Sequence, residues 1–475
     1  MTTLPPDSTA RASELVKVPG VAEELSKRFE GAGHELYMVG GSVRDGILGR
    51  DHIDLDFATD ARPERVLEIV RGWDEGTWLQ GIQFGTVGVQ KYGKRLEITT
   101  FRAERYDAAS RQPEISVVAT IHADLSRRDF TINSMALKLP ERVFVDPFGG
   151  LRDLAAKVLR TPGMPEDSFD DDPLRMLRAA RFAAQLDLEP DPALVHAMRA
   201  MAHRLEIVSA ERIRDELIKL LASDRPSKGL NLATETGLCD LFLPELPALR
   251  LEQDPIHRHK DVYGHTLAVV EKVVASDPPG DPDTVLRLAA LLHDIGKPAT
   301  RRIGEEGVSF HHHEVVGAQM AERRLRALRF PSDFVDEVCK LVEMHLRFHG
   351  YGDGWSDSAV RRYVRDAGGL LDRLNRLVRA DVTTRNRFRA RQFALAMDDF
   401  ESRIARLAAD EDLKRIRPPI DGNDVMQHLG VAPGPVIGKA LSYLLEVRLD
   451  RGEYSRDEAL ALLDQWAADN GVTRA

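Results

Sequence analysis

Residues 38–60 read MVGGSVRDGILGRDHIDLDFATD, and the pairing of a Gly-Gly turn with Asp54-Leu55-Asp56 constrains this chain more than any other feature. From Ile53 to Phe57 apolar and acidic residues alternate, which predicts a strand with one wet face. Residues two apart on a strand point the same way, so both carboxylates converge on one spot. Two convergent carboxylates favour hard, oxygen-seeking cations such as Mg²⁺. Just upstream, Gly40, Gly41 and Ser42 make a turn without bulky side chains, where backbone N–H groups can approach a phosphate. Arg44 adds a cationic fork for phosphate oxygens. A lone D-x-D is ordinarily two solvated acids at a strand end. Joined to a Gly-rich turn and an arginine within one βαβ-sized span, it reads as metal-assisted phosphoryl transfer.

The remaining chain must accommodate that site among several others. At 475 residues it exceeds a single core, and roughly two to four domains are expected. The first twenty residues hold no apolar run resembling a signal peptide, and no stretch approaches the ~18 apolar residues of a membrane span. The expectation is a cytoplasmic protein with no membrane partner. Cys239 and Cys339 are far apart and lack metal-like spacing, which argues against a disulfide framework. The net charge of −10 argues against blanket nucleic-acid binding without excluding it, and it allows a local basic surface. One dense stretch, Arg376, Arg379, Arg385, Arg387, Arg389 and Arg391, is either such a surface or a solvated face with scattered ion pairs.

Periodicity divides the chain. Strand-like segments at His34–Val39, Ile53–Ala58, Gly85–Gln90, Arg95–Thr99 and Val143–Asp146 surround a helical stretch at Pro63–Arg71. From about residue 150 the pattern is helical almost without exception, with apolar i, i+3/i+4 spacing over Leu174–Leu186, Ala210–Ala222, Val285–Leu292, Val315–Leu328 and Asp333–Glu343. The expected fold class is α+β: a small mixed α/β head, then an elongated helical neck and body and further helical domains. Expected boundaries are 20–160 for the head, 161–255 for the helical neck and body, 256–400 for a third domain and 401–475 for a helical tail.

Two more segments of the first half carry chemistry. In RRDFTINSM (127–135), Arg128 and Asp129 are expected to open a helix with Asp129 as its cap, and DPFGG (146–150) predicts a tight turn led by Asp146. In DDPLRMLRAARF (171–182), Pro173 predicts a helix start after two acids. Arg175, Arg178 and Arg181, three residues apart, are expected on one helical face with Asp172 at its edge. A carboxylate and a guanidinium together can accept from and donate to the edge of a nucleobase, a protein substitute for a template.

Taken in order, VGGSVRD (39–45), DLDFAT (54–59), ITTFRAERY (98–106), RRDFTIN (127–133), DPFGG (146–150), DDPLRMLRAARF (171–182) and SAERIRDELIKLL (209–221) resemble the class II tRNA nucleotidyltransferases, the bacterial CCA-adding enzymes of the DNA polymerase β superfamily. The resemblance implies a head binding Mg²⁺ at Asp54 and Asp56 and a body holding the tRNA acceptor arm and 3′ end. It implies phosphate contacts for Gly41 and Arg44, and phosphate and ribose contacts for Arg128 and Asp129. Asp172 and Arg175 would read CTP or ATP, while Arg178 and Arg181 would hold the triphosphate. The superfamily's third carboxylate has a candidate in Glu97. The neck motif departs from the usual Glu-Asp, reading Asp171-Asp172, and keeps the second acid. Relatives include enzymes adding only C, only A, or a poly(A) tail. Residues 102–122 resemble the loop that switches full enzymes from C to A, which disfavours C-only addition, and 420–445 resemble the C-terminal helical module of CCA-adding enzymes.

Nine of the fifteen histidines fall between His257 and His349. The segments GHT (264–266), LLHDIGK (291–297), HHHE (311–314), MHLRFH (344–349) and ADVTTRN (380–386) resemble the HD phosphohydrolase superfamily. That resemblance implies one divalent transition metal on His265, His293, Asp294 and Asp381, and a second drawing on His313 and His345. His311, His312 and His349 are expected to be spectators. A phosphohydrolase acting on RNA-end or cyclic phosphates is the rival reading from another class.

Overall fold

The computed structural model describes residues 13–50, 54–82, 85–105, 114–117, 120–251, 261–304, 307–383, 386–410 and 416–472. Several expectations therefore fall partly outside the described residues: Ile53, Arg385, His257, the first twelve residues, and 106–113 and 118–119 of the segment resembling a switching loop.

The acidic alternation forms its strand. In β2 (Asp54–Thr59, after β1 at Leu36–Val39), Asp54 is exposed and Asp56 half-buried, while Leu55 and Phe57 are buried. The head sheet continues with β3 (Gly76–Trp78), β4 (Thr86–Lys91) and β5 (Lys94–Thr100). A separate antiparallel ladder pairs β6 (Arg102–Arg105) with β7 (Glu114–Val117). Then β8 (Ala136–Leu139) and β9 (Val143–Val145) complete a seven-stranded sheet of order β3-β4-β5-β2-β1-β8-β9. Within this sheet, among the described residues, only the β2–β5 pairing is parallel, and its register sets Glu97 beside Asp56. β1 is buried along its length, as a central strand needs to be.

One expectation is corrected here. Arg128 and Asp129 do not open a helix: helix Ile121–Ser126 ends before them, and only a 3₁₀ turn, Thr131–Asn133, follows, with Phe130 at its cap. The Asp129 carboxylate is instead drawn to an arginine far away in sequence. Beyond residue 150 the chain is helical as expected apart from two short ladders among the described residues, Val158–Leu159 with Glu189–Pro190 and Arg302–Gly304 with Gly307–Ser309. Runs of two or three residues leave no periodic signature.

The chain divides into two units, Met1–Pro244 and Glu245–Ala475. In the first, helix Leu174–Gln185 packs against Ala210–Leu221 and Pro226–Glu235, burying Met176, Leu177, Ala180 and Phe182. In the second, Val262–Ser276, Thr284–Leu292, His313–Ala327, Ser332–Met344 and Leu371–Asp381 pack together. Its last three helices, Gly422–Leu429, Pro435–Arg451 and Arg456–Asp469, enclose a small core of Val425, Leu429, Leu444, Leu463 and Trp466. Capping boxes at Asp421 and Ser455 start two of them. Among the described residues, no helix is long and apolar enough to cross a membrane.

Candidate active site and metal cluster

The Gly-Gly turn is built around an arginine. Gly40 has φ +65°, and a Cβ there would lie 2.7 Å from Arg128 Nη1, so the backbone accepts the guanidinium only because the side chain is absent. Helix Gly41–Ile47 starts immediately after. Ser42 Oγ accepts the backbone N–H of Asp56 at 2.9 Å, which ties the turn to the acidic strand. Arg44 is 5% exposed, donates to both carboxylate oxygens of Asp45 at 2.8 and 2.7 Å, and gives Nη1 to Asn133 Oδ1 at 2.5 Å. In this arrangement Arg44 joins the turn to the 131–133 segment.

Asp124 is fully buried and receives both Arg127 and Arg128, at 2.8 and 3.0 Å. Burial opposes its charge, but Arg128 and Arg127 outweigh burial and hold its pKa below the usual value. Asp129 is satisfied on both oxygens. Oδ1 accepts from Phe130 N and Asn133 Nδ2 at 2.8 and 2.9 Å, and Oδ2 accepts from Arg178 Nε and Nη2 at 2.9 and 2.6 Å. Burial again pushes up, yet Arg178 and these donors bring Asp129 down to about 2. Arg175 adds a second tie, donating Nη2 to the Arg127 carbonyl at 2.7 Å and Nη1 to Ser168 Oγ at 2.9 Å. Asp172 accepts Leu174 N–H at 3.1 Å and Arg212 Nη2 at 2.8 Å.

These groups line one cavity of about 310 Å³. Asp56, Thr99, Arg127, Arg128, Asp129, Asp172, Arg175 and Arg178 all face it, together with Val39 and Phe57. Gly41, Arg44, Asp54 and Arg181 are not among its lining residues. For Arg181 the reason is helical geometry. Steps of three residues rotate by about −60° each, so six residues carry Arg181 roughly 120° from Arg175. The expected single face is thus a spiral: Arg181 turns to Glu216 at 2.6 Å and Gln185 at 2.8 Å. It lines a different cavity with Arg50 and Lys219.

At the acidic edge, the Glu97 carboxyl is pushed up by burial and then by the charges of Asp56 and Asp54. Three carboxylates crowding one end of β2 and β5 form an oxygen-only donor set that fits a hard divalent cation. Sequence reasoning missed Arg127, Asp124, Arg212 and Glu216. The spacing of Asp124 three and four residues before Arg127 and Arg128 was the available signal for the first two.

In the second unit, helix ends converge. His265 lies in helix Val262–Ser276, His293 and Asp294 follow Thr284–Leu292, His313 begins its helix, His345 follows Ser332–Met344, and Asp381 ends Leu371–Asp381. His265 Nε2 is 2.9 Å from Asp381 Oδ1, and His293 Nε2 is 3.3 Å from Asp294 Oδ2. His313 Nε2 is 3.3 Å from Asp294 Oδ1. Two ligand groups result, His265-His293-Asp294 and Asp294-His313-His345, with Asp294 common to both. His311, His312 and His349 are exposed.

The imidazoles are oriented from behind. Nδ1 of His293, His313 and His345 each faces a backbone carbonyl, of Ala290, Phe310 and Val342, at 2.8, 2.7 and 2.6 Å. A carbonyl can only accept, so Nδ1 carries a proton, and each ring in its neutral form presents the Nε2 lone pair inward. His265 Nδ1 meets Thr383 Oγ1 at 2.7 Å. Among the described residues the buried Nε2 of His345 has no hydrogen-bond partner, and Nε2 of His313 has only the 3.3 Å approach of Asp294 Oδ1 without hydrogen-bond geometry, a lack that a metal ion would fill. Burial and the neighbouring His293 push His345 down to about 3, keeping it a neutral donor. Burial also opposes charge on His293, but Asp294 and Asp381 outweigh it and raise it to about 10, the mark of a site built for positive charge. Lys297 donates to Asp294 Oδ2 at 2.7 Å, a contact the LLHDIGK spacing could have suggested. A Cβ on Gly296 would sit 2.1 Å from the His313 carbonyl, so only glycine lets these two ligand segments meet.

Residues 36–160 match the poly A polymerase head domain, 187–249 the probable RNA and SrmB-binding site of polymerase A, and 262–386 the HD domain. The chain is 34% identical over 451 residues to an A-adding tRNA nucleotidyltransferase of Deinococcus radiodurans, covering 91% of this chain and 95% of that one. It is 40% identical over 219 residues to a CCA-adding enzyme of Levilactobacillus brevis, covering 46% of this chain and 54% of the relative. The fold superposes on the crystal structure of the Bacillus stearothermophilus CCA-adding enzyme in complex with CTP with a TM-score of 0.66. That match has 26% identity and covers 96% of this chain and 99% of that one.

Four outcomes follow from the geometry. Gly40→Ala should cost about 1–3 kcal/mol, read by urea unfolding, because an unfavourable φ and the Arg128 contact both oppose it. Asp129→Ala should cost about 3 kcal/mol, the low end for breaking a buried pair, because Arg178 keeps 33% of its side-chain surface in water. The folded Asp129 pKa lies below its unfolded value, so its contribution is fully present above about pH 4 and disappears as pH falls toward 2. Unfolding curves of wild type and Asp129→Asn should therefore converge across that window. Thr383→Ala should weaken metal binding by about 10–100-fold in chelator competition, by freeing the His265 ring.

Proposed function

The chain belongs to the family of A-adding and CCA-adding tRNA nucleotidyltransferases, and on that premise we propose that it adds C, C and A to the 3′ end of tRNA from CTP and ATP without a template. The observation that carries this reading is the cavity where Asp56 meets Arg128, Asp129, Asp172, Arg175 and Arg178. In the reaction, the terminal 3′-hydroxyl oxygen of the tRNA attacks the α-phosphorus of the incoming nucleotide. The bond to the bridging oxygen breaks, pyrophosphate departs with its electron pair, and the hydroxyl proton is released. Asp54 and Asp56 would hold two Mg²⁺ ions, which when bound supply charge neutralisation at the attacking and departing oxygens, with Glu97 as a third carboxylate.

This chain's own residues supply position. Arg128, paired with Asp124, and Arg178, paired with Asp129, offer positive charge to the triphosphate. Gly41 presents backbone at the start of its helix, and Arg44 and Arg181 serve from behind the cavity wall. Asp172 and Arg175 select the base. Asp172 offers acceptor oxygens held in place by Arg212, and Arg175 offers donors held by Ser168 and the Arg127 carbonyl. A purine and a pyrimidine can be served by the same pair only if it shifts between two settings, and these polar tethers are of the kind that can exchange.

A second reading, addition of A alone, is favoured by one observation: a relative that matches nearly the full length of this chain is named an A-adding tRNA nucleotidyltransferase. One assay separates the two. Given tRNA lacking CCA, a CCA-adding enzyme extends it by three nucleotides from CTP and ATP. An A-adding enzyme leaves it untouched and extends only tRNA already ending in CC. Asp54→Asn should lower either activity on the order of 10²–10³-fold. Asp172→Ala should lose about 1–3 kcal/mol of discrimination between correct and incorrect nucleotides, and unchanged selectivity would refute its role.

The metal cluster supports a separate hydrolysis of phosphate esters at RNA ends. His265, His293, Asp294 and Asp381 would hold one divalent transition metal, and His313 and His345 would share a second through Asp294. Metal-dependent cleavage of a 2′,3′-cyclic phosphate should vanish in Asp294→Ala and survive in Asp54→Asn. The reverse pattern would contradict it.

A further inference from the structure

The arginine-dense stretch of the sequence divides in two. Arg376 pairs with Asp277 and Ser276, and Arg379 with Glu401 and Asp398 at 2.7 and 2.8 Å, so both serve the packing of the second unit. Arg387, Arg389 and Arg391 are different. They are exposed at the start of helix Arg387–Asp410, and among the described residues none has a side-chain hydrogen bond or ion pair.

Their position works against the helix. The first turn carries partial positive charge, which favours acids and disfavours bases, yet this helix has no acid there. Asn386 supplies the cap, its side-chain oxygen accepting the backbone N–H groups of Phe388 and Arg389 at 3.0 and 3.2 Å. Between the arginines, Phe388 is 70% exposed, and Leu395, seven residues on and on the same face, is 52% exposed. Neither contributes to the core. A segment that contradicts local preference in charge and in hydrophobicity, with no return in packing, is a mark of function.

We propose that the start of helix Arg387–Asp410 is a docking surface for single-stranded RNA, in which Arg387, Arg389 and Arg391 contact phosphates and a base stacks on Phe388. Charge complementarity selects a polyanion, because three uncompensated arginines lie within five residues of a chain that is acidic overall. The exposed ring selects a strand with free base faces, since bases inside a duplex are already stacked. The surface also lies near the metal cluster. Asp381 is six residues before Arg387, which limits their separation to roughly 20 Å, and Thr383 is bonded to His265. A strand lying on this helix therefore has its phosphates within a few nucleotides of the cluster.

The test is fluorescence anisotropy with the full-length protein, using a labelled 12-nucleotide RNA single-stranded and as a duplex, without nucleotides or tRNA. Because no addition chemistry is involved, the outcome is independent of the reading given for the first unit. Arg387→Gln with Arg391→Gln should weaken single-strand binding and reduce the slope of log affinity against log salt by about 1.4, two contacts at about 0.7 each. Phe388→Ala should weaken single-strand binding by at least about fivefold and leave duplex binding unchanged. Neither variant should lower the melting temperature, since the replaced side chains are exposed. Single-strand affinity unchanged in either variant, or equal loss for strand and duplex in Phe388→Ala, would overturn the proposal.

Discussion

A buried carboxylate facing a guanidinium, Asp129 against Arg178, is the interaction on which the first unit's site depends. Removing charge from water is expensive, and each partner is tolerable only because the other is held beside it, with two Arg178 N–H groups donating to the one oxygen Oδ2. The pair joins the segment after helix Ile121–Ser126 to helix Leu174–Gln185, and Arg175 repeats the tie one turn earlier through the Arg127 carbonyl. Phe182, 3% exposed, is the apolar centre of the same joint. The guanidiniums of Arg44, Arg178 and Arg181 lie 5.2, 5.6 and 3.9 Å from its ring, and Phe130 meets it edge-on at 5.6 Å. An aromatic face lets three like charges gather where their mutual repulsion would otherwise scatter them. The cavity wall is therefore positively charged and already paid for by Asp129, Asp124 and Glu216 before any nucleotide arrives.

The metal cluster uses the same economy of buried charge with different chemistry. Its acids, Asp294 and Asp381, face imidazoles rather than guanidiniums, and imidazole can surrender its proton to become a metal ligand. Backbone carbonyls hold three of the rings by Nδ1, so ring orientation is written into helix ends instead of other side chains. One centre is oxygen-lined and lies at strand ends; the other is nitrogen-rich and lies at helix ends. That contrast suits a hard cation and a borderline one respectively.

Much of this was legible in the sequence. The D-L-D alternation reports a half-wet strand directly, and β2 forms where it was expected. The clustered histidines report the second site because structural histidines have no reason to crowd into GHT, LLHDIGK and MHLRFH, and the structure brings His265, His293, His313 and His345 together. What failed was set by tertiary contacts. Asp129 has the sequence setting of a helix cap, but an arginine 49 residues later competes for it and wins. Arg181 shares a spacing with Arg175 and Arg178, yet helical twist and Glu216 turn it aside. β3 and β8 lie outside the strands read from the sequence. The arginine run was ambiguous for a physical reason: its two halves have similar composition, and only packing distinguishes the paired Arg376 and Arg379 from the exposed residues that follow.

On the proposed reading, the cavity between β2 and helix Leu174–Gln185 holds a nucleotide whose base is read by protein. Isothermal titration of CTP, ATP, UTP and GTP into the full-length protein, in Mg²⁺ and without tRNA, tests it most directly. Binding of CTP or ATP at least tenfold tighter than UTP and GTP is expected, with the preference lost in Asp172→Ala. Equal affinity for all four nucleotides, or a preference that survives loss of Asp172, would contradict it.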